Sequence, residues 1–151
     1  MKIHRLLFLF MLGLAGYGVM PARAQTPADS LAIRQTILDY AEGWYTGNAV
    51  RMARAVHPQL AKRALLPNRQ TNDLFLDDMN AEKLIEATRK GYGKGLPPEQ
   101  QQKDMVIIEI NGNTAVAKLQ MRRWYDYLHL IREDGEWRII NVLWELKPRE
   151  E

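Results

Sequence analysis

The chain has 151 residues, of which 46% are hydrophobic and 26% charged, a composition typical of globular proteins. It contains no cysteine, which excludes a disulfide scaffold, a thiolate nucleophile, a zinc-thiolate site and a lipoprotein anchor. Three of the 21 basic residues precede Gln25, and the remainder has 18 basic and 18 acidic residues. Nucleic-acid binding, which depends on neutralising phosphates, therefore loses its main support, and we expect no nucleic-acid partner.

The first 24 residues have the three parts of a secretory signal peptide. A short basic segment precedes the apolar run 6–20, and Ala22-Arg23-Ala24 gives the small-x-small pattern that signal peptidase cleaves. An uncleaved membrane anchor is the alternative, but this run is shorter than the roughly 20 apolar residues that span a bilayer. We expect cleavage before Gln25, a single domain over 25–151, no membrane attachment after cleavage, and export to a bacterial periplasm or cell exterior.

The residues after the leader predict a first helix. Asp29 or Ser30 is a suitable cap, and apolar side chains recur at four-residue spacing from Ile33 onward. This spacing places one face of the helix against a core. Gly47-Asn48 is expected to end it.

A second helix, over residues 49–56, is expected to stop at His57-Pro58, because the residue before proline avoids the helical region. Residues 59–63 are predicted to add one further turn. Two short strands should follow, over 64–66 and 73–79. Asn80 then caps a third helix over 81–90.

The rest of the chain predicts a rim loop followed by strands. Glycines and prolines make residues 91–102 a loop. Asn111-Gly112 and Asp134-Gly135 are strong hairpin turns. The four predicted strands cover 105–110, 113–121, 126–133 and 136–146. Helices followed by an antiparallel meander indicate an α+β fold and exclude the parallel-sheet dinucleotide-binding folds.

The last hairpin predicts which side chains share a face. If Asp134-Gly135 is a two-residue turn, Leu128 lies opposite Asn141 and Asp126 opposite Leu143. Both faces are then largely apolar, whereas an antiparallel sheet usually has one face exposed to solvent. Helices are expected to cover the first face, and a second copy of the chain is the simplest cover for the outer face. This pattern favours a homodimer.

Asp126 and Asn141 are the polar residues that this register places among leucines and isoleucines. A carboxylate in such surroundings must be paired, have a perturbed pKa or line a wet cavity. The same pattern is typical of a concave ligand pocket with few polar groups. The alternative is that Asp126 lies at the strand start, in solvent.

Three segments resemble the "putative lumazine-binding" family of the nuclear transport factor 2-like superfamily. They are Tyr40-Ala41-Glu42-Gly43-Trp44-Tyr45, His57-Pro58, and the run from Asp126-Tyr127-Leu128-His129-Leu130 to Asp134-Gly135-Glu136-Trp137-Arg138-Ile139-Ile140-Asn141. The resemblance covers roughly residues 28–146. It implies a cone in which N-terminal helices pack into the concave face of a curved antiparallel sheet and enclose a pocket. It also implies dimerisation through the outer sheet face, and the family description implies a bicyclic heteroaromatic ligand.

The superfamily includes steroid isomerases, scytalone dehydratases and polyketide cyclases, so the resemblance also raises catalysis. His57 is a candidate general base at the opening of the cone, and Asp126 is a candidate carboxylate base. A helix-terminal histidine bonded to the backbone is an equally simple explanation of His57. After the leader only His57 and His129 remain, which excludes a three-histidine metal site, and we expect no metal and no cofactor.

Two functional hypotheses follow. The first is an exported, non-catalytic module that binds a small apolar or aromatic molecule through Tyr40, Trp44, Leu128 and Asn141. The second is a cofactor-free isomerase, dehydratase or cyclase that uses His57, Asp126 or both. An enzyme should place one of these two groups in an open cavity within hydrogen-bond reach of a tyrosine or asparagine.

Overall fold

The computed structural model describes residues 27–68, 70–71 and 73–148, so the predicted leader, 1–24, lies outside the described residues. No helix within those ranges is long and apolar enough to cross a bilayer. A single 3-10 turn, Pro98–Gln100, precedes the third strand. The helices and strands are α1 Pro27–Thr46, α2 Ala49–Ala55, β1 Val56–Pro67, β2 Leu74–Asn80, α3 Ala81–Arg89, β3 Lys103–Asn111, β4 Thr114–Met121, β5 Trp124–Glu133 and β6 Glu136–Leu146.

The six strands form one curved sheet in the order β2-β1-β6-β5-β4-β3. All neighbours are antiparallel except β1 and β6, which are parallel. α1 packs on β6 and β3, α3 packs on β1 and β2, and α2 lies between the other two helices. The α+β cone predicted from the sequence is confirmed.

α2 and α3 begin at asparagine caps, whereas the predicted caps of the first helix, Asp29 and Ser30, lie inside α1, which includes Pro27. The side chain of Asn48 accepts a hydrogen bond from the Arg51 amide, and that of Asn80 accepts one from the Lys83 amide at 2.9 Å. Each bond satisfies an amide that has no partner within its helix. α1 buries Ile33, which confirms the predicted apolar face.

The prediction of a further helical turn over 59–63 is wrong, because these residues belong to β1. Burial alternates there, with Leu60, Lys62 and Ala64 buried and their neighbours more exposed. The register between β1 and β6 shifts between Val56 and Ala61. Proline has no amide hydrogen for a sheet, so this irregularity accommodates Pro58 within the strand.

The register of the last hairpin follows the prediction for half its length. Asp134 and Gly135 both have positive φ, 50° and 84°, as a two-residue hairpin turn requires. Glu133 pairs with Glu136, and the predicted pairing holds as far as Leu130 with Ile139. A bulge then shifts the register, because His129 pairs with Asn141 and Ile140 is the extra residue.

The predicted pairing of Leu128 with Asn141 and of Asp126 with Leu143 is therefore wrong. Leu128 pairs with Val142, and Asp126 with Trp144. One extra residue moves every later side chain of β6 to the opposite face. Asn141 consequently lies on the outer face with His129, their ring and amide nitrogens 3.3 Å apart.

Several other strand ends differ from the predictions by one or two residues. β5 begins at Trp124, two residues before the predicted start. The predicted turn at Asn111-Gly112 is wrong by one residue: Asn111 pairs with Thr114, so the β3–β4 turn consists of Gly112 and Asn113. Gly112 has a φ of 59°, a conformation that glycine adopts without strain.

Candidate functional site

An ion pair lies buried inside the cone. Lys62 Nζ is 2.8 Å from Asp126 Oδ1, and Asp126 is 0% exposed. Tyr40 accepts a hydrogen bond from Lys62 Nζ at 3.0 Å and donates one to Asp126 Oδ1 at 3.4 Å. Trp124 Nε1 donates to the other carboxylate oxygen at 3.0 Å. Both oxygens of Asp126 are thus occupied by protein donors.

The strand order brings these residues together. Lys62 on β1 pairs with Val142 on β6, and Val142 pairs with Leu128 on β5. Asp126 lies two residues before Leu128, on the same face of its strand, because side chains alternate along a strand. The lysine stem is long enough to bridge the remaining distance, and the Tyr40 hydroxyl reaches the pair from α1.

Burial and the charge of Asp126 have opposite effects on the pKa of Lys62 and the same effect on the pKa of Tyr40. Burial lowers the pKa of Lys62 below its ordinary value, and the nearby Asp126 carboxylate opposes this shift. Burial, together with the negative charge of Asp126, raises the pKa of Tyr40 well above its ordinary value. Tyr40 is therefore protonated at neutral pH and acts as a hydrogen-bond donor to the carboxylate.

Three tryptophans lie around this cluster. The ring centroids of Trp44 and Trp124 are 6.0 Å apart, and those of Trp124 and Trp144 are 6.1 Å apart, both in edge-on arrangements. Lys62 Nζ lies 4.9 Å from the centroid of Trp144. Trp144 Nε1 has no hydrogen-bond partner, the sole buried side-chain nitrogen or oxygen without one among the described residues.

A large cleft opens at the end of the cone that holds the β4–β5 turn. It has a volume of about 990 Å³. Its lining combines apolar side chains from β1, β2, β6 and the rim loop with five polar or charged residues. The lining residues are Leu66, Pro67, Asn68, Phe75, Leu96, Gln100, Arg122, Arg123, Leu146, Lys147 and Pro148.

A second cavity of about 280 Å³ adjoins the cleft and shares Leu96, Arg122 and Arg123 with it. The indole of Trp124 contributes to its wall, as does the predicted rim loop around Gly93. Trp124 donates a hydrogen bond from Nε1 to Asp126 and also lines the smaller cavity. It therefore separates the buried carboxylate from the open end of the cone.

The two arginines at the mouth occupy the short β4–β5 connection, which is fixed on both sides. The Tyr45 hydroxyl accepts a hydrogen bond from the Arg122 amide at 3.0 Å and donates one to the Gln102 carbonyl at 2.9 Å. The Arg123 carbonyl accepts a hydrogen bond from the Lys147 amide at 2.9 Å. The backbone of this turn is thus held in place while both arginine side chains are exposed.

The two catalytic candidates from the sequence lie far apart. His57 Nε2 contacts Glu133 Oε2 at 3.1 Å, and His57 Nδ1 accepts a hydrogen bond from the Gln59 amide. Glu133 ends β5, seven residues beyond Asp126, a separation of about 23 Å along a strand. His57 lines neither cavity. In the described part of the chain, no three histidine or acidic side chains are grouped as a metal site requires.

The four predicted ligand-binding residues also lie away from the lining of both cavities. Tyr40 bonds to the ion pair, and Leu128 is fully buried in the core. Trp44 packs edge-on against Trp124 behind the smaller cavity. Asn141 lies on the outer face because of the bulge at Ile140.

Sequence reasoning missed Lys62, Arg122 and Arg123. The alternation of Leu60, Lys62 and Ala64 is a strand signal that would have placed the lysine on the inner face. Arg122-Arg123 directly follows the strand predicted over 113–121, which makes it part of a connection at one end of the sheet. Its position at the mouth depends on the closed curvature of the sheet, which no local pattern reveals.

The family model described as "putative lumazine-binding" matches residues 28–145. The chain belongs to this family. The sequence resemblance given by the three segments is thereby confirmed. No protein with a curated description matches the chain in sequence.

Solved structures of nuclear transport factor 2-like (NTF2-like) proteins are similar in fold. An NTF2-like protein of unknown function from Methylobacillus flagellatus has a TM-score of 0.65 and 17% identity, covering 84% of this chain and 98% of that one. One from Shewanella baltica has a TM-score of 0.59 and 16% identity, covering 83% and 100%. A protein of unknown function with a cystatin-like fold from Nostoc punctiforme has a TM-score of 0.58 and 11% identity, covering 82% and 94%. These likenesses establish the NTF2-like fold alone.

Proposed function

We propose that this protein is an exported module that binds a small molecule with an apolar or aromatic body at the mouth of the cone and does not transform it. The cleft of about 990 Å³ carries this proposal, because its size is typical of ligand sites and its lining combines six apolar residues with five polar or charged ones. Phe75 and Leu66 supply apolar surface from the β1–β2 hairpin. The family description, which names lumazine binding, supports a small-molecule ligand.

The surroundings of Asp126 favour binding over catalysis. A general base must reach the proton that it removes. Asp126 is fully buried, its two oxygens accept bonds from Lys62, Tyr40 and Trp124, and Trp124 lies between it and the cavity. His57 is bonded to Glu133 and lines neither cavity. The isomerase, dehydratase or cyclase hypothesis would require a rearrangement that moves Trp124 aside.

The binding proposal can be tested with the fluorescent apolar probe N-phenylnaphthylamine. We expect saturable binding that Phe75→Ala weakens at least about fivefold, because the aromatic ring contributes buried apolar contact area. Leu31→Ala is the matched control, since Leu31 is exposed on α1 and lines neither cavity. Absence of binding, or equal losses in both variants, would contradict a ligand site in the cleft.

Export is the second part of the proposal, and it rests on the leader at 1–24. Expression of the full chain in a bacterium, followed by fractionation and intact mass measurement, tests it. We expect a periplasmic or secreted product that begins at Gln25. A membrane-bound product that retains Met1 would refute both cleavage and export.

A homodimer through the outer sheet face is the third part. Leu65, Val106, Tyr127 and Leu143 are each at least 43% exposed. They occupy the face opposite the core and extend across four strands, β1, β3, β5 and β6. A second copy can bury the same patch symmetrically without requiring another protein. We expect light scattering to give twice the chain mass and Leu143→Asp to give the monomer; a monomeric wild-type protein would overturn this part.

A further inference from the structure

The mouth of the cone is cationic, although the chain beyond residue 24 has equal numbers of basic and acidic residues. The described lining of the two cavities includes Arg122, Arg123, Lys147 and Lys94, and it includes no aspartate or glutamate. Beyond residue 24 the chain has 18 basic and 18 acidic residues. The positive potential at the mouth is therefore local, and it lies where the proposed ligand would enter.

Arg122 and Arg123 differ from those arginines that form ion pairs within the fold. Arg51 pairs with Asp39 at 2.9 Å, and Arg132 pairs with Asp29 at 2.6 Å. Within the described ranges, neither Arg122 nor Arg123 forms a salt bridge or a side-chain hydrogen bond. Both guanidinium groups can therefore accept a ligand without first losing a protein partner.

The backbone that carries the two arginines is fixed before any ligand arrives. The Tyr45 hydroxyl connects the Arg122 amide to the Gln102 carbonyl, and the Lys147 amide bonds to the Arg123 carbonyl. Binding would therefore order two side chains but not the turn itself. A smaller ordering cost leaves more of the interaction as affinity.

We propose that the ligand is an organic anion, whose oxyanion group binds Arg122 and Arg123 while its apolar body contacts Phe75 and the neighbouring leucines. This inference rests on the proposed function and adds the chemical class of its ligand. A guanidinium group matches a carboxylate, phosphate or sulfonate with paired N–H donors. The two arginines line both cavities, so an anion between them would leave the body in the larger cleft, where the apolar residues lie.

Two matched probes test the role of the anion. Anilinonaphthalene sulfonate and N-phenylnaphthylamine share an aromatic body and differ in the sulfonate. We expect the double variant Arg122→Gln, Arg123→Gln to weaken binding of the sulfonate probe at least about tenfold, since charge-assisted hydrogen bonds are lost. Binding of the neutral probe should change less than about twofold. Arg34→Gln is the control, because Arg34 is exposed on α1 and lines neither cavity.

The outcomes separate this inference from the binding proposal. If Phe75→Ala weakens the neutral probe but the arginine variant leaves the sulfonate probe unaffected, the cleft binds ligands and the anion inference is wrong. Equal losses for both probes in the arginine variant, or an equal loss of the sulfonate probe in Arg34→Gln, also overturn the inference. If neither probe binds, the proposed function itself fails.

Competition identifies which oxyanion the arginines prefer. Decanoate, decyl phosphate and decanol have the same chain and differ in their head groups. We expect at least one of the two anions to displace the sulfonate probe at a concentration at least about tenfold below that of decanol. The stronger anion then indicates a carboxylate or a phosphate ligand. Equal displacement by all three compounds would overturn the inference.

Discussion

Lys62→Met removes one partner of the buried ion pair and should destabilise the fold strongly. Asp126 would stay fully buried with only the neutral donors of Tyr40 and Trp124. Breaking a buried pair on one side costs about 3–5 kcal/mol, because an uncompensated charge remains in the interior. With a slope of about 2 kcal/mol per M in urea, the unfolding midpoint should fall by about 2 M.

The double variant Lys62→Met, Asp126→Asn removes both charges and separates pairing from packing. An asparagine can still accept the Trp124 hydrogen bond. We expect the double variant to be more stable than Lys62→Met alone, with a coupling energy of at least about 2 kcal/mol in a double-mutant cycle. Additive losses, or a loss below about 1 kcal/mol in Lys62→Met, would refute the buried pair.

The pH dependence of Asp126→Asn gives a further check on this pair. Asp126 opposes the lowering of the Lys62 pKa by burial, so its removal should lower that pKa further. Between the folded-state and unfolded-state pKa values, the unfolded chain then binds more protons, and stability rises with pH. Urea unfolding at a series of pH values below the ordinary lysine pKa of about 10.4 should therefore show a steeper rise for this variant than for the wild type. This range stays below the region where titration of Tyr40, whose pKa is raised, would lower stability.

Three further predictions concern single contacts. Gly93→Ala should lower the free energy of unfolding by about 1–3 kcal/mol, because a Cβ there overlaps the Trp44 carbonyl oxygen and indole. An unchanged free energy of unfolding would contradict this prediction and show that the rim loop shifts without cost. Asn48→Ala should cost about 1 kcal/mol by chemical denaturation and Asn48→Asp much less, and equal losses would count against a capping role. Hydrogen bonding to Arg54 holds the pKa of Asp39 below its ordinary value. Ionised Asp39 therefore stabilises the fold above the unfolded-state pKa of this carboxyl group, and this stabilisation is lost as pH falls through its folded-state pKa. Asp39→Asn should therefore flatten the acid decline of the thermal midpoint, and a parallel decline would contradict this assignment.

Local signals predicted those parts of the fold that local contacts determine. The cap at Asn80, the apolar spacing after Ile33 and the Asp134-Gly135 turn each act within a few residues, and the structure contains all of them. The predicted turn over 59–63 failed because pairing with β6 overrides the helical tendency of these residues.

The candidate site could not be predicted to the same extent, because its contacts connect distant segments. Lys62 and Asp126 are separated by 64 positions, and their ion pair exists only once β1, β6 and β5 lie side by side. Lysine is usually exposed, so the residue type of Lys62 gave no sign of burial, and only its alternation with Leu60 and Ala64 indicated the inner face. Arg122 and Arg123 join Phe75 in one cleft only because the sheet curves around the helices.

The bulge at Ile140 connects the fold to the proposed function. Without the extra residue, Trp144 would lie on the outer face and Asn141 on the inner face. Lys62 would then lose the ring 4.9 Å from its Nζ, and Trp124 would lose an edge-on neighbour. An inward Asn141 would add a polar group beside the buried carboxylate, the arrangement that a catalytic pocket needs. With the bulge, aromatic side chains pack around the ion pair instead, and the ligand site proposed above is the cleft at the mouth.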